Sequence, residues 1–529
     1  MGARSSQHAT ESLIVRPTNI SMQQMPSRPA APLSPGRASA ARAALTAGSA
    51  EILTRALSVV LSIVVARILD PHEVGILGLG VMAAGMISML GYYVETACVI
   101  TQGDATDGQY ALAGLLMRSV VVALLIAATF GLLKISQRYL GFNHQDLTQL
   151  QAVLRVLVWM PVCELLSGYP QVVLQRQLDL TYVSAVQIVQ PVIFVTISIV
   201  LLVSGHGIVG VALASVVGTA IVVLCLWMRL NRNHSIKLCL PSGRHIREIV
   251  TKCTRVFVGG FGGYLGERVD NFLVAGTLGP ASMGFYSMAW NGSRIPANVI
   301  AKTTTSVLIP ILARVREEPA RVERAIRESL RHWYVMLVPT CAALYLSAPV
   351  AVPLVLGAKW VPLLPCLRIM CFTVLMAPVI FACGGLLVGT GRPQLGAIPT
   401  VIHILVLVVA IPVLARRWTI VGAAFADLIA VFFLTITLFL ISRASVPQVN
   451  WNVLSIAARP VLCGISAGVI AIGTTASIRE SLAKTILELL ILGIAYPGLL
   501  LLSGGKDMLT QLTSMMRGVF RRRPAISKA

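Results

Sequence analysis

The residues best placed to do chemistry in this chain are cations and amides set inside long apolar runs. Ser287, Asn291, Arg294, Asn298, Lys302 and Thr305 recur at intervals of 4, 3, 4, 4 and 3. On a helix they share one face over about 27 Å, at about 1.5 Å per residue, nearly the full hydrocarbon depth of a bilayer. An ionisable group at that depth costs about 2.5–3.5 kcal/mol on insertion scales, so it must face a polar cavity or a partner. Pro296 interrupts the same run and is expected to kink it. Trp290, four residues from Arg294, can stack on a sugar beside a phosphate site, although core packing is the commoner role for such a residue.

Further charges repeat the theme. Glu51, Arg55, Ser58 and Ser62 share a face at spacings of 4, 3 and 4, where Glu51 and Arg55 can pair with each other. A later run holds Gly259, Gly263, Gly266, Glu267, Arg268, Asp270 and Asn271. Its glycines permit close helix approach, and its charges either neutralise one another or serve a site. Glu95, Arg118, Arg155 and Glu164 lie in or at the ends of apolar runs, and Arg118 with Glu164 can form a pair across helices. Asp427 and His403 stand alone; each can carry a proton or be satisfied by a backbone or hydroxyl partner.

No constellation for catalysis accompanies them. The chain has no G-x-x-x-x-G-K-[ST] loop and no H-E-x-x-H pair. Asp70 and Glu73 fall on a loop too small to build a transferase site. The ten cysteines are scattered, Cys366 and Cys371 being the nearest pair, and they read as packing residues. The expectation is therefore a binding and transport protein, not an enzyme, with no cofactor and no metal.

The elements that must carry these residues are transmembrane helices. Only 12% of the 529 residues are charged and the mean hydropathy is +0.80; an ordinary soluble domain carries about 25% charged residues. Apolar runs predict an all-α polytopic membrane protein with fourteen spans, near 46–67, 75–97, 110–134, 150–173, 183–204, 208–229, 252–276, 282–312, 333–356, 363–389, 396–415, 418–441, 453–476 and 484–503. The net charge of +22 is concentrated in tails and loops, which suits anionic membrane lipid and not nucleic acid. Residues 1–45 read as a disordered basic tail without a signal peptide's apolar core. Residues 508–523 read either as an interfacial helix beside Arg517, Arg521, Arg522 and Arg523 or as a solvated basic tail.

Arg and Lys placement puts both tails and the loops near Arg244 and Arg324 in the cytoplasm, and the turns near Pro71, Pro280 and Lys359 outside. Arg416 and Arg417 break the rule by landing outside. Trp227, Trp333, Trp360, Trp418 and Trp451 fall at helix ends and are expected to form an interfacial belt.

Two segments recur. Leu69-Asp70-Pro71-His72-Glu73-Val74-Gly75 matches Leu278-Gly279-Pro280-Ala281-Ser282-Met283-Gly284 in its Leu, Pro and Gly at an offset of 209. Ile208-Val209-Gly210-Val211-Ala212 matches Ile420-Val421-Gly422-Ala423-Ala424 at an offset of 212. Six spans separate the copies, so the repeats are parallel. The expected organisation is a first six-helix bundle over 46–230, a basic linker over 231–251, a second bundle over 252–442, two additional helices over 443–505 and a basic tail over 506–529. Transporters built from such repeats bind their substrate between the halves.

The run Ala66-Arg67-Ile68-Leu69-Asp70-Pro71-His72-Glu73-Val74-Gly75 resembles the first-loop signature of Wzx-type polysaccharide flippases. Arg268-Val269-Asp270-Asn271-Phe272-Leu273-Val274-Ala275-Gly276, Gly284-Phe285-Tyr286-Ser287, Ile309-Pro310, Gly357-Ala358-Lys359-Trp360 and Gly389-Thr390-Gly391-Arg392-Pro393 fit the same pattern, which covers about residues 45–505. The resemblance implies two six-helix bundles around a central cavity plus two extra helices. It implies translocation of an undecaprenyl-diphosphate-linked oligosaccharide across the bacterial cytoplasmic (inner) membrane, with a polysaccharide polymerase and chain-length proteins as partners. On that reading Arg55, Arg294, Lys302, Asn291, Asn298 and Trp290 bind substrate, while Glu51, Glu95, Glu267, Arg268, Asp270 and Asp427 couple transport or hold the bundles. The alternatives are a cation-coupled multidrug exporter of the same superfamily and a membrane glycosyltransferase or polymerase.

The orientation is open to test. In a cysteine-free background on whole cells, an impermeant thiol reagent is expected to label Lys359→Cys and to leave Arg244→Cys and Arg324→Cys unlabelled; the opposite pattern overturns the topology.

Overall fold

In a bilayer the backbone has no partner but itself, so long apolar runs become helices. The computed structural model of the chain describes residues 56–100, 112–120, 122–124, 144–176, 180–232, 243–315, 318–446, 453–478 and 481–504, with isolated positions between them. The basic tail over 1–45, the segment 508–523 and Trp451 lie outside the described residues. Among those described there is no strand.

The helices are α1 (Ala56–Ile68), α2 (Pro71–Ile100), α3 (described over 112–120 and 122–124), α4 (His144–Leu157), α5 (Trp159–Arg176), α6 (Leu180–Val203) and α7 (Gly207–Arg232). There follow α8 (Gly243–Leu278), α9 (Pro280–Val315), α10 (Pro319–Val355), α11 (Leu364–Val374), α12 (Ala377–Gly389), α13 (Ala397–Ser445), α14 (Val453–Thr475) and α15 (Leu482–Leu502). Proline opens α2, α9 and α10, where its missing N–H costs nothing and its fixed φ suits the first turn. Ser481 caps α15 by accepting the Lys484 N–H at 3.2 Å.

Among the described residues seven helices are long and apolar enough to cross a membrane, or eight with the bent pair α11 and α12 counted as one span. α8 and α9 are not among the seven. Each is 36 residues long, and in α8 Glu267, Arg268 and Asp270 fall close together and lower its apolarity. In α8 the charges that mark the site are thus what hides the helix from an apolarity criterion.

Some expected spans are subdivided. The run 150–173 breaks at Val158 between α4 and α5, and the run 363–389 bends by 42° between α11 and α12. The runs 396–415 and 418–441 are joined in α13 across non-helical Trp418 and Thr419. A Cβ on Gly422 would stand 2.1 Å from the Leu414 carbonyl oxygen. Eight residues of straight helix would separate them by about 12 Å, so α13 folds back on itself as a hairpin. Its repeat partner Gly210 lies equally tight after the α6–α7 turn, with Leu201 Cβ 2.9 Å from the Cβ position.

The first repeat pair meets face to face. A Cβ on Gly75 would stand 1.9 Å from the Pro280 carbonyl oxygen, and one on Gly284 would stand 1.9 Å from that of Pro71. The N-terminal turns of α2 and α9 therefore cross backbone on backbone, each copy in the notch left by the other's glycine. Around this crossing Arg67 donates to the carbonyls of Val355 (2.7 Å) and Leu354. Lys359 Nζ lies 3.3 Å from the Arg67 carbonyl oxygen and 3.3 Å from Asp70 Oδ1. Trp360 donates its indole N–H to the Ala66 carbonyl at 2.8 Å and packs edge-on against Phe285.

This corrects the tryptophan belt. Trp360 is fully buried and Trp333 is buried against Phe381, because each fills a seam between helices. Trp227 stacks on Tyr169 and donates to the Leu166 carbonyl. Trp418 is the exposed one of the four described. The cysteines meet expectation: Cys341, Cys366, Cys371, Cys383 and Cys463 are free and buried.

The crossing makes a stability prediction. Gly75→Ala and Gly284→Ala should each cost about 1–3 kcal/mol and lower the melting temperature of the purified protein. Gly276→Ala, whose added Cβ meets open space, should stay within about 0.5 kcal/mol. Equal melting temperatures for all three would contradict the close approach.

Candidate functional site

Small residues on α8 and α12 leave room between helices that polar groups then line. Gly263, Gly266, Gly384 and Gly385 border a cavity of 440 Å³ enclosed by α8, α9, α11, α12 and α13. Its polar lining is Glu267 and Asp270 from α8, Arg294 and Asn298 from α9, Thr373 from α11, and Thr400, His403 and Asp427 from the two arms of α13.

Asp270 is buried and fully bonded. Its Oδ1 accepts the backbone N–H of Asn271 at 2.7 Å and the Asn271 side-chain amide at 2.9 Å. Its Oδ2 accepts the Tyr286 hydroxyl at 3.0 Å. Tyr286 is itself fully buried, and Asp427 is 2% exposed. Two carboxylates and an arginine are thus gathered in one low-dielectric pocket, where their attraction is far stronger than in water. Arg294 lies close enough to act on both acids. Its guanidinium carbon sits 4.2 Å from the centroid of the Trp290 ring, and that of Arg268 sits 5.7 Å from the same centroid. Buried Asp427 Oδ2, Asn271 Oδ1, Thr373 Oγ1 and His403 Nδ1 have no hydrogen-bond partner among the described residues.

The helical stripe on α9 is therefore split. Arg294, Asn298 and Trp290 line the cavity. Ser287 turns back to donate to the Gly284 carbonyl at 3.1 Å, and Asn291 is exposed and does not line the cavity. The side chains of Lys302, Thr305 and Glu95, together with Glu51 and Arg55, lie outside the described residues. The lining of this cavity runs from Gly263 to Leu438, within the stretch expected to form the second bundle. In the first half buried Arg118 lies where its charge acts on Glu164. A Cβ on Gly168 would stand 2.7 Å from Arg118 Nη1, so that glycine makes room for the guanidinium.

Sequence reasoning left three participants without a role: Tyr286, Thr373 and the convergence of His403 with Asp427. Helical spacing relates residues on one helix, whereas these meet across three. The one available signal for Tyr286 was a hydroxyl in an otherwise apolar face of α9.

A helical membrane protein with a charged interior cavity and two interlocked repeats has the build of a multi-pass transporter. The fold agrees with solved structures. It superposes on the lipid II flippase MurJ in an inward closed conformation with a TM-score of 0.70 at 10% identity, covering 86% of this chain and 98% of that one. It superposes on an inward-facing multidrug resistance MATE family transporter of the MOP superfamily with a TM-score of 0.61 at 16% identity, covering 74% of this chain and 94% of that one. These likenesses are of fold.

Residues 64–365 match the family described as polysaccharide biosynthesis protein, and the chain belongs to that family. Among curated relatives it is 28% identical over 169 residues to a membrane protein of the cps region of Klebsiella pneumoniae, covering 31% of this chain and 34% of that protein. It is 26% identical over 129 residues to the lipopolysaccharide biosynthesis protein WzxC of Escherichia coli K12, covering 24% of this chain and 26% of that one. The matches thus span about a quarter to a third of these relatives' length.

The Asp270 cradle yields a further expectation. Tyr286→Phe removes the donor to Asp270 Oδ2 at unchanged packing volume and should cost about 1–3 kcal/mol, read as a lower melting temperature. An unchanged melting temperature would show that Tyr286 does not hold the acid.

Proposed function

We propose that the chain is a flippase that carries undecaprenyl-diphosphate-linked oligosaccharide units from the inner to the outer leaflet of the bacterial cytoplasmic membrane, for exopolysaccharide, capsule or lipopolysaccharide synthesis. Family membership supports a role in polysaccharide synthesis. The observation that carries the site is Arg294, a cation inside the apolar span, seated on Trp290 and facing two buried acids.

Arginine suits the deep position because its charge persists on burial and its planar fork fits phosphate oxygens. Without substrate, Asp270 and Asp427 neutralise it. A diphosphate entering the cavity competes for the same guanidinium, and the acids then lose their counter-charge and recruit a cation. Substrate and cation load together on this scheme, which gives Asp270 and Asp427 their coupling role. Asn298 offers hydrogen bonds to the phosphate or first sugar. The cavity of 440 Å³ suits a head group and not an extended glycan, so passage requires the helices around it to move apart. Arg55 and Lys302 are proposed to capture the diphosphate at the cytoplasmic side, and Glu51 and Glu95 to serve as coupling or structural charges. Both termini are cytoplasmic on this reading, with a polymerase, chain-length proteins and anionic lipid as partners and no cofactor.

One observation favours a second reading. The cavity holds three acids, Glu267, Asp270 and Asp427, which suit the cationic compounds of a multidrug exporter. Loss of drug efflux without loss of glycan in a deletion strain would select it.

The test uses the deletion strain complemented with variants whose membrane levels are checked. Arg294→Lys keeps the charge and should retain partial surface glycan. Arg294→Gln should lose nearly all of it at normal protein level. Normal glycan with Arg294→Gln, or loss only because the protein is absent, refutes the phosphate role.

A further inference from the structure

The reversal in α13 plays no part in the site above, yet it concentrates unusual features. Arg416 and Arg417 lie at the end of the molecule opposite the basic loops, against the usual bias of cations toward the cytoplasm. They share that end with the crossing by element order: from the turn at Gly357–Leu363 the chain crosses once through α11 and α12 and returns through the first arm of α13. Arg67 and Lys359, the described cations beside the crossing, are bonded to carbonyls and to Asp70. Arg416 and Arg417 are exposed and make no ion pair among the described residues.

Beside them Trp418 is 54% exposed and packs edge-on against Phe425 with centroids 6.0 Å apart. Thr419 holds φ 52 and ψ −135 and is the one non-glycine residue of positive φ among those described. A β-branched residue there stores on the order of 1–3 kcal/mol of strain. The tight turn it makes leaves the Arg417 guanidinium and the Trp418 indole on the rim, with exposed Arg416 beside them in the chain. Below them runs a groove of 880 Å³ with Arg417, Trp418 and Thr419 at one end and Leu414, Phe425 and Ile429 along its length. The flanking Val409, Val413, Phe432 and Phe433 are exposed, so the groove opens sideways to hydrocarbon and not into the cavity of Asp427.

We propose that this groove binds an anionic phospholipid of the outer leaflet. Its phosphate sits on Arg416 and Arg417, its glycerol region meets Trp418, and one acyl chain lies along Leu414, Phe425 and Ile429. Charge complementarity selects the head group, and the lateral opening selects a lipid already in the membrane. The placement in the outer leaflet rests on the orientation argued above; the binding itself does not. Because Phe425 and Ile429 flank Asp427 on the same helical arm, the lipid presses on the element that carries one of the two buried acids.

The test is quenching of Trp418 fluorescence, taken as the difference between the wild type and Trp418→Phe, in nanodiscs of phosphatidylcholine doped with brominated lipid. Brominated phosphatidylglycerol should quench at a mole fraction on the order of tenfold lower than brominated phosphatidylcholine, as two arginine contacts imply. The double variant Arg416→Gln/Arg417→Gln should lose that preference, while Arg416→Lys/Arg417→Lys should keep most of it and so report on charge independently of folding. Equal quenching by both lipids in the wild type, or a preference that survives the double Gln variant, overturns the proposal. Soluble farnesyl diphosphate should not relieve the quenching; if it does, the groove receives prenyl diphosphate and the phospholipid assignment fails. None of these readouts requires glycan transport, so their failure is distinguishable from failure of the flippase reading.

Discussion

Two backbones cross at Gly75 and Gly284 with no side chain between them, and the rest of the molecule is arranged around that contact. Without a hydrophobic driving force between helices in lipid, close packing and hydrogen bonding must hold the halves together. The crossing supplies the packing, and Arg67, Lys359 and Trp360 supply hydrogen bonds to carbonyls and a carboxylate beside it. The three donors lie together at the end of the molecule where α1 gives way to α2 and α10 to α11. The seam also extends inward along α2, where Met283 fills the space at Gly78 and the Tyr264 hydroxyl donates to the Met82 carbonyl at 3.3 Å.

Closure at one end gives the buried charges their meaning. Asp270 and Asp427 are too costly to leave in an apolar bundle unless they do something or are fully satisfied. Asp270 is satisfied by Asn271 and Tyr286, yet Asp427 keeps a buried oxygen without a hydrogen-bond partner among the described residues. Arg294 offsets both. A cluster balanced by one movable arginine responds when an anion takes that arginine, whereas a cluster of paired residues on fixed geometry would not. The same cluster explains why α8, which carries Glu267, Arg268 and Asp270, is less apolar than the neighbouring α7 and α9.

Much of this was legible in the chain alone. Apolar period and length disclosed the helices, and the Leu-Pro-Gly repeat at 69–75 and 278–284 pointed to two related halves. That the two copies touch each other was not legible, because a repeat shows likeness and not contact. The stripe on α9 drew attention to Arg294 and Asn298, which line the cavity, but it also included Asn291, which does not, since helical period places residues on a face without saying what the face meets. Asp427 read as a lone acid because its neighbours belong to α8 and α9, more than a hundred residues away. Trp360 read as a membrane anchor because helix-end position is shared by anchors and by wedges between halves; only burial separates them.

The account stands on the claim that the outer crossing must open for substrate to leave. Its most direct measurement is lipid-linked oligosaccharide flipping in proteoliposomes with Asp70→Cys and Lys359→Cys joined by a short cleavable bismaleimide in a cysteine-free background. A fluorescent polyprenyl-diphosphate oligosaccharide reports the outer-leaflet fraction by its loss to dithionite. The expected result is that flipping stops when the two residues are joined and returns when the linker is cleaved. Flipping at the uncross-linked rate in fully joined protein would contradict the account.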